Sequence, residues 1–76
     1  MQAQGTQRGA VGRAIRDARC RLDMTQEGLA LESGLQRKTI HQIEAGKADP
    51  RLGTLFRIAA AVKVGVVDLL GPSRDV

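Results

Sequence analysis

Few residues in this 76-residue chain can do chemistry, and their types and spacing exclude most kinds of it. Cys20 is the only cysteine and His41 the only histidine. A cysteine nucleophile wants a general base beside it, and helical spacing places these two on different helices with no visible pairing. Cys20 therefore reads as an inert surface thiol. One cysteine also forbids an internal disulfide and leaves no cysteine pair for a zinc site. Without paired carboxylates in a plausible cleft, a metal-ligand cluster or a phosphate-cradling glycine loop, the chain is not expected to be an enzyme, and no catalytic residue, metal or cofactor is assigned. What remains is hydrogen bonding combined with positive charge. Gln36, Arg37, Lys38, Thr39, His41 and Gln42 crowd into one short stretch. Arg and Lys donate, while Gln both donates and accepts. Such a set suits a polyanion with hydrogen-bonding edges.

These residues lie within 25–47, TQEGLALESGLQRKTIHQIEAGK. Its apolar positions follow a helix period, stop at Gly34 and resume in a new phase, which describes two short helices joined by a tight turn. Ala30 is small where the helices would cross, Gly34 can take the left-handed conformation, and Ile40 and Ile43 face inward three residues apart. That combination is what a helix-turn-helix requires. The second helix should span 26–33 with Thr25 as N-cap, and the third roughly 36–45, closed by Gly46. With Ile40 and Ile43 buried, Lys38, His41, Gln42 and Ala45 lie opposite and Arg37 sits at one edge.

Flanking elements complete an all-α domain over 10–71. A first helix over about 10–21 follows from Val11, Ile15, Ala18 and Leu22 at helical spacing; its Arg13, Arg16, Asp17 and Cys20 fall on the far side. After a loop over 46–50, Leu52, Leu55, Ile58, Ala59 and Val62 form the apolar stripe of a fourth helix, with Asp49 and Pro50 at or just before its start. A short fifth helix covers 66–70 and Gly71-Pro72 stops it. Residues 1–9 are polar and show no periodicity, so they read as a flexible N-terminal tail, with 72–76 as a C-terminal one.

Composition narrows the class further. A chain this short buries only about 60% of its unfolded surface, and so small a core gains from a partner. No apolar run approaches the ~18 residues of a membrane span, and the first residues lack the apolar core of a secretory signal, so a cytoplasmic protein is expected. The net charge is +4 and the pI near 10.2, which favours a polyanionic partner. The charge is segregated: residues 1–22 hold five Arg against Asp17, residues 23–34 hold only Asp23, Glu27 and Glu32, and residues 35–47 hold Arg37, Lys38 and Lys47 against Glu44. One Phe and no Trp or Tyr argue against a platform that stacks single-stranded bases.

The pattern TQxxLAxxxG, then Ile40 with IE three residues on, G-K and Pro50, LxxIAxAVxV and a final VDLL resembles the Cro and phage-repressor type (XRE-like) of helix-turn-helix domain, over about residues 11–71. The resemblance implies a compact five-helix, lambda-repressor-like DNA-binding domain with the helix-turn-helix formed by helices 2 and 3. It implies that helix 3 enters the major groove, with Gln36, Arg37, Lys38 and Gln42 reading bases, and with Thr39 and His41 close to the backbone. Gln26 resembles the family glutamine that bonds a phosphate and braces the recognition helix, and Lys47 and Arg51 sit where relatives run close to the DNA backbone or minor groove. The resemblance also implies an ion pair between Arg19 and Glu44 that holds helix 3 on helix 1. Gln36 stands where the family often has Ser or Thr, which weakens the helix cap, and Gly65 stands where it often has a capping Ser.

The function expected on this basis is sequence-specific binding of double-stranded DNA by a transcriptional regulator of repressor or controller type. A homodimer would read a near-palindromic operator. Phe56, Val67 and Leu70 are apolar residues that one small domain need not cover. No small-molecule effector is expected. The alternative is an antitoxin-like or other protein-interaction module with secondary DNA binding, which has less use for Arg37, Lys38 and Gln42 together. Arg13 and Arg21 read as a solvated face.

Overall fold

The computed structural model describes the backbone of residues 3–70 and the side chains from residue 9 onward. Five helices and no strand occur among the described residues: α1 (Ala3–Arg21), α2 (Gln26–Ser33), α3 (Arg37–Glu44), α4 (Leu52–Val62) and α5 (Val66–Leu69). The first packs on α3, α4 and α5, the second on α3 and α4, and the last also on α4. Every helix thus leans on at least two others. For elements of four to eleven residues this is a requirement, since isolated helices below ~12–15 residues are marginal in water.

The inward stripes converge. Ile15 and Ala18 from α1, Leu29 and Ala30 from α2, Ile40 and Ile43 from α3, Leu55, Ile58, Ala59 and Val62 from α4, and Leu69 from α5 make one buried cluster. Of these, Ile15, Leu29, Ile40 and Ile58 are wholly buried. Each such side chain is worth about 1.5–3 kcal/mol relative to exposure.

Chain reversals follow the local chemistry. The Thr25 hydroxyl accepts from the Gly28 amide at 2.9 Å, capping α2. Gly34 closes α2 in the left-handed region at φ 74°, and its amide and that of Leu35 both bond the Ala30 carbonyl. Gly46 at φ 77° does the same past α3. Gln36 caps α3 with no side-chain bond. At α5 the missing Ser is offset from the other end, because the Gly65 amide donates to Asp68 Oδ2 at 3.1 Å.

Several expectations need correction. The first helix begins at Ala3 rather than Ala10. Residues 3–9 mix the good helix formers Ala3, Gln4, Gln7 and Arg8 with the poor ones Gly5, Thr6 and Gly9, and an absent apolar stripe does not mean an absent helix. Leu22 lies past the end of α1 and is 41% exposed; the chain turns away there through Asp23 at φ 55°. Leu52 opens α4 on its solvent side and is also exposed. Helix α4 takes Arg51, not Asp49, as its N-cap residue, leaving Pro50 outside the helix. The helix stop at Gly71-Pro72 and the tail over 72–76 lie outside the described residues.

Candidate nucleic-acid interface

The turn at Gly34 decides where α3 points. After it, Gln36 is extended (φ −84°, ψ 148°) and α3 starts in a new direction, seated by Ile40 and Ile43. Gln36, Arg37, Lys38 and His41 are exposed; Thr39 and Gln42 are half-buried. Arg37, Lys38 and His41 border an open hollow of about 300 Å³. In the loop between α3 and α4, Lys47 and Arg51 are exposed as well. The outward side of α3 and the loop after it therefore carry cations and amides to solvent.

Glu44 is the only carboxylate of α3, and it is withdrawn from that side. Its carboxylate accepts from Arg19 Nε at 2.7 Å and from Arg19 Nη2 at 2.9 Å. The paired side chains are 12% and 4% exposed. Arg19 also donates from Nη1 to the Met24 carbonyl at 2.7 Å, tying the loop before α2 into the same network. The Glu44 carboxylate, by accepting from the guanidinium, raises the Arg19 pKa above the ordinary arginine value against the opposing effect of burial. The cation's stabilising share is thus full below that ordinary value and lost only at still more alkaline pH.

Gln26 opens α2, where backbone amides without helical partners favour an anion. Its Nε2 donates to Glu44 Oε1 at 3.1 Å. The resemblance gives Gln26 both a phosphate and a bracing role towards α3; in the folded chain the brace runs through Glu44 and so through its pair with Arg19, with a second Nε2 hydrogen left over. Glu27 stands in the same first turn and tempers the favourable helix-end field.

Two residues of this region were not visible from the sequence. Gly12 lies buried in α1 against the end of α3, and a methyl group built on it would stand 2.4 Å from the Ile43 carbonyl oxygen and 2.7 Å from that of Glu44. It looks like a weak helix residue until α3 is in place. Arg16, placed on the far side of the first helix with no role assigned, borders an open hollow of about 260 Å³ with Gln26, His41, Ala45 and the Arg19–Glu44 pair. The three-residue step from Arg16 to Arg19 puts both on neighbouring turns of one face, which is the signal that would have marked it.

Away from this interface, Phe56 and Val67 line an open, mainly apolar groove of about 560 Å³ with Ala59, Ala60, Val64, Gly65 and Val66. Phe56 is 56% exposed and Val67 77%. Cys20 is exposed. Among the described residues no group of three or more potential metal ligands occurs, and no helix is long and apolar enough to cross a membrane.

Residues 15–69 match the helix-turn-helix family model. A protein of Archaeoglobus fulgidus described as an uncharacterized HTH-type transcriptional regulator is 40% identical over 55 residues, covering 72% of this chain and 79% of the relative. Among solved structures, the restriction-modification controller protein C.AhdI from Aeromonas hydrophila superposes with a TM-score of 0.79 at 27% identity, over 82% of this chain and 94% of its own. The hypothetical transcription factor NHTF from Neisseria superposes with a TM-score of 0.84 at 28% identity, over 91% and 79% respectively.

Proposed function

The chain belongs to the helix-turn-helix family, and from that premise we propose that it is a transcriptional regulator of repressor or controller type that lays α3 in the major groove of double-stranded DNA. The observation that carries this reading is the outward side of α3: Arg37, Lys38 and His41 exposed, Gln42 half-buried, and the helix's one carboxylate drawn back onto Arg19. A phosphate-lined groove repels carboxylates, and this arrangement presents none from α3. The likeness to a restriction-modification controller protein supports a regulator of the controller kind.

Roles divide by chemistry. Arg37 and Lys38 suit guanine O6 and N7, while Gln36 and Gln42 suit adenine N6 and N7. Gln26, Thr39, His41, Lys47 and Arg51 position the domain on the phosphates. A second copy of the chain joins through the α4–α5 groove, burying Phe56, Val67 and the half-exposed Leu70. That groove sits on α4 and α5, whereas α3 packs on α1 and α2, so pairing leaves both recognition helices available. Two of them about 34–36 Å apart would read a near-palindromic operator. The antitoxin-like alternative draws on other apolar surface, Leu31 at 79% and Leu52 at 65% exposure, but gives the basic side of α3 no task.

Selection of bound duplexes from a random pool tests the proposal. Lys38→Ala and Gln42→Ala should change which bases are preferred. Lys47→Ala should weaken every duplex alike and lower the salt slope by about one. Equal losses on all sequences for all three variants would refute the division into readers and positioners.

A further inference from the structure

The last turn of α3 is held by α1 at two points. One is the Glu44 carboxylate on Arg19 at 2.7 Å. The other is Gly12, two turns earlier on the same face of α1, where a methyl group would meet the Ile43 oxygen at 2.4 Å, the Glu44 oxygen at 2.7 Å and the Glu44 carbonyl carbon at 3.0 Å. All three obstacles are backbone, so only a residue without a side chain lets α3 rest this low on α1. Gly12 is itself buried and has no side chain to offer a ligand. Of the two helices, α1 is the firmer. It packs on α3, α4 and α5, with Val11, Ala14, Ile15 and Ala18 set in or against the core on both sides of Gly12. Helix α3 packs on α1 and α2 and has no side-chain cap, so bulk added at position 12 displaces α3.

We propose that Gly12 is a positioning residue for DNA reading: it fixes the angle at which α3 presents Arg37, Lys38 and Gln42. The inference rests on the reading that α3 enters the groove of duplex DNA. Ile40 is wholly buried and is the natural pivot of the helix. Ordinary contact begins at 3.4 Å, so a methyl at position 12 lifts the last turn by about 1 Å. That turn lies about 5–6 Å along the axis from Ile40, which makes the tilt about 10°. Arg37 and Lys38 lie on one side of the pivot and Gln42 on the other. They swing in opposite senses, so no rigid shift of the whole domain on the DNA realigns both. Contacts that read base edges tolerate errors of about 0.5 Å and 10–20°, whereas Lys47, on a flexible stem in the following loop, can still reach a phosphate.

The test uses the full chain and a duplex that the parent selects from a random pool. Gly12→Ala is placed in a background of Gly53→Ala and Lys63→Gly, and that background is the reference. A methyl at Gly53 meets nothing within 4 Å and Lys63 is a left-handed C-cap, so both changes raise stability and keep the Gly12→Ala chain folded. At equal folded fraction, checked by circular dichroism, Gly12→Ala should weaken binding to the selected duplex about tenfold and to unrelated duplexes far less, because those are held through phosphates. Renewed selection should return a changed base preference. Residual dipolar couplings should show α3 turned against α4, with α1 unmoved. Unchanged preference and affinity, an equal loss on every sequence, or an α1 that bends while α3 keeps its direction overturns the positioning role. A chain that stays unfolded in the stabilised background overturns it too, because α3 then does not yield. In each of these cases base selection by the parent that depends on Lys38 leaves the broader reading standing. If the parent selects no duplex at all, both readings fall together.

Discussion

Replacing Gly12 with alanine adds one methyl group, and the structure says where it goes. The new carbon would stand 2.4 Å from the Ile43 oxygen and 2.7 Å from the Glu44 oxygen, where ordinary contact begins at 3.4 Å. The obstacles are backbone atoms, so no rotamer change relieves them. Either the last turn of α3 retreats by about 1 Å or α1 bends away. Overpacking of this kind costs about 1–3 kcal/mol, and an overlap with two carbonyls belongs near the top of that range. Alanine returns about 1 kcal/mol of helix propensity, leaving a net loss of ~2 kcal/mol. Against a total stability of ~4–11 kcal/mol for a chain this size, that is a large fraction. Urea unfolding followed by circular dichroism measures it, since the chain has neither Trp nor Tyr for fluorescence. Gly53 in α4 is the control: a methyl there meets nothing within 4 Å, so Gly53→Ala should stabilise by up to ~1 kcal/mol. A Gly12→Ala midpoint equal to or above that of the parent, with Gly53→Ala behaving as stated, would refute the close approach of α1 and α3.

Other outcomes follow from particular contacts. Glu44→Ala strands the guanidinium of Arg19 and should cost ~3–5 kcal/mol, whereas exchanging both residues for apolar ones of similar volume should recover much of it; a double variant no more stable than the single one would contradict this in the same urea assay. Lys63 sits in the left-handed region at φ 62° and ψ 42° as the C-cap of α4, so Lys63→Gly should raise the thermal midpoint by the equivalent of ~0.5–1 kcal/mol. Val67→Glu puts a charge into the α4–α5 groove. Sedimentation should find the parent dimeric and this variant monomeric, with a melting transition that stays cooperative but no longer shifts with protein concentration; a parent that stays monomeric at high concentration and on DNA would remove that interface.

Much of the fold could be read from periodicity because the helices bury one stripe each. Ile40, Ile43, Leu55, Ile58 and Val62 are all buried where helical spacing puts them, and Gly34 turns where a residue without a side chain is wanted. Periodicity fails at helix ends. Leu22 and Leu52 continue their stripes by spacing, yet each lies at a terminus where no neighbour covers it. It also fails where apolar residues are lacking, as over the first turns of α1. The candidate interface divides in the same way. Which residues α3 turns outward follows from its own two isoleucines. The choice of Glu44 as the partner of Gln26, the approach at Gly12 and the hollow beside Arg16 each require a second helix in position, and one chain stretch read alone contains no information about its partner.

That division has a consequence for how α3 works. It has eight residues and no side-chain cap from Gln36, so it cannot hold its shape on its own account. Its order comes from Ile40 and Ile43 in the core, from Glu44 clamped to Arg19, and from Gly12, which lets α1 come close. None of these is among the residues proposed to read bases. Gln36, Arg37 and Lys38 are exposed and belong to no part of that anchorage, so substitutions there should cost little stability, since exposed positions of this kind usually change it by within ~0.5 kcal/mol. The same body can therefore present different reading residues, and a change of operator need not pass through a less stable fold.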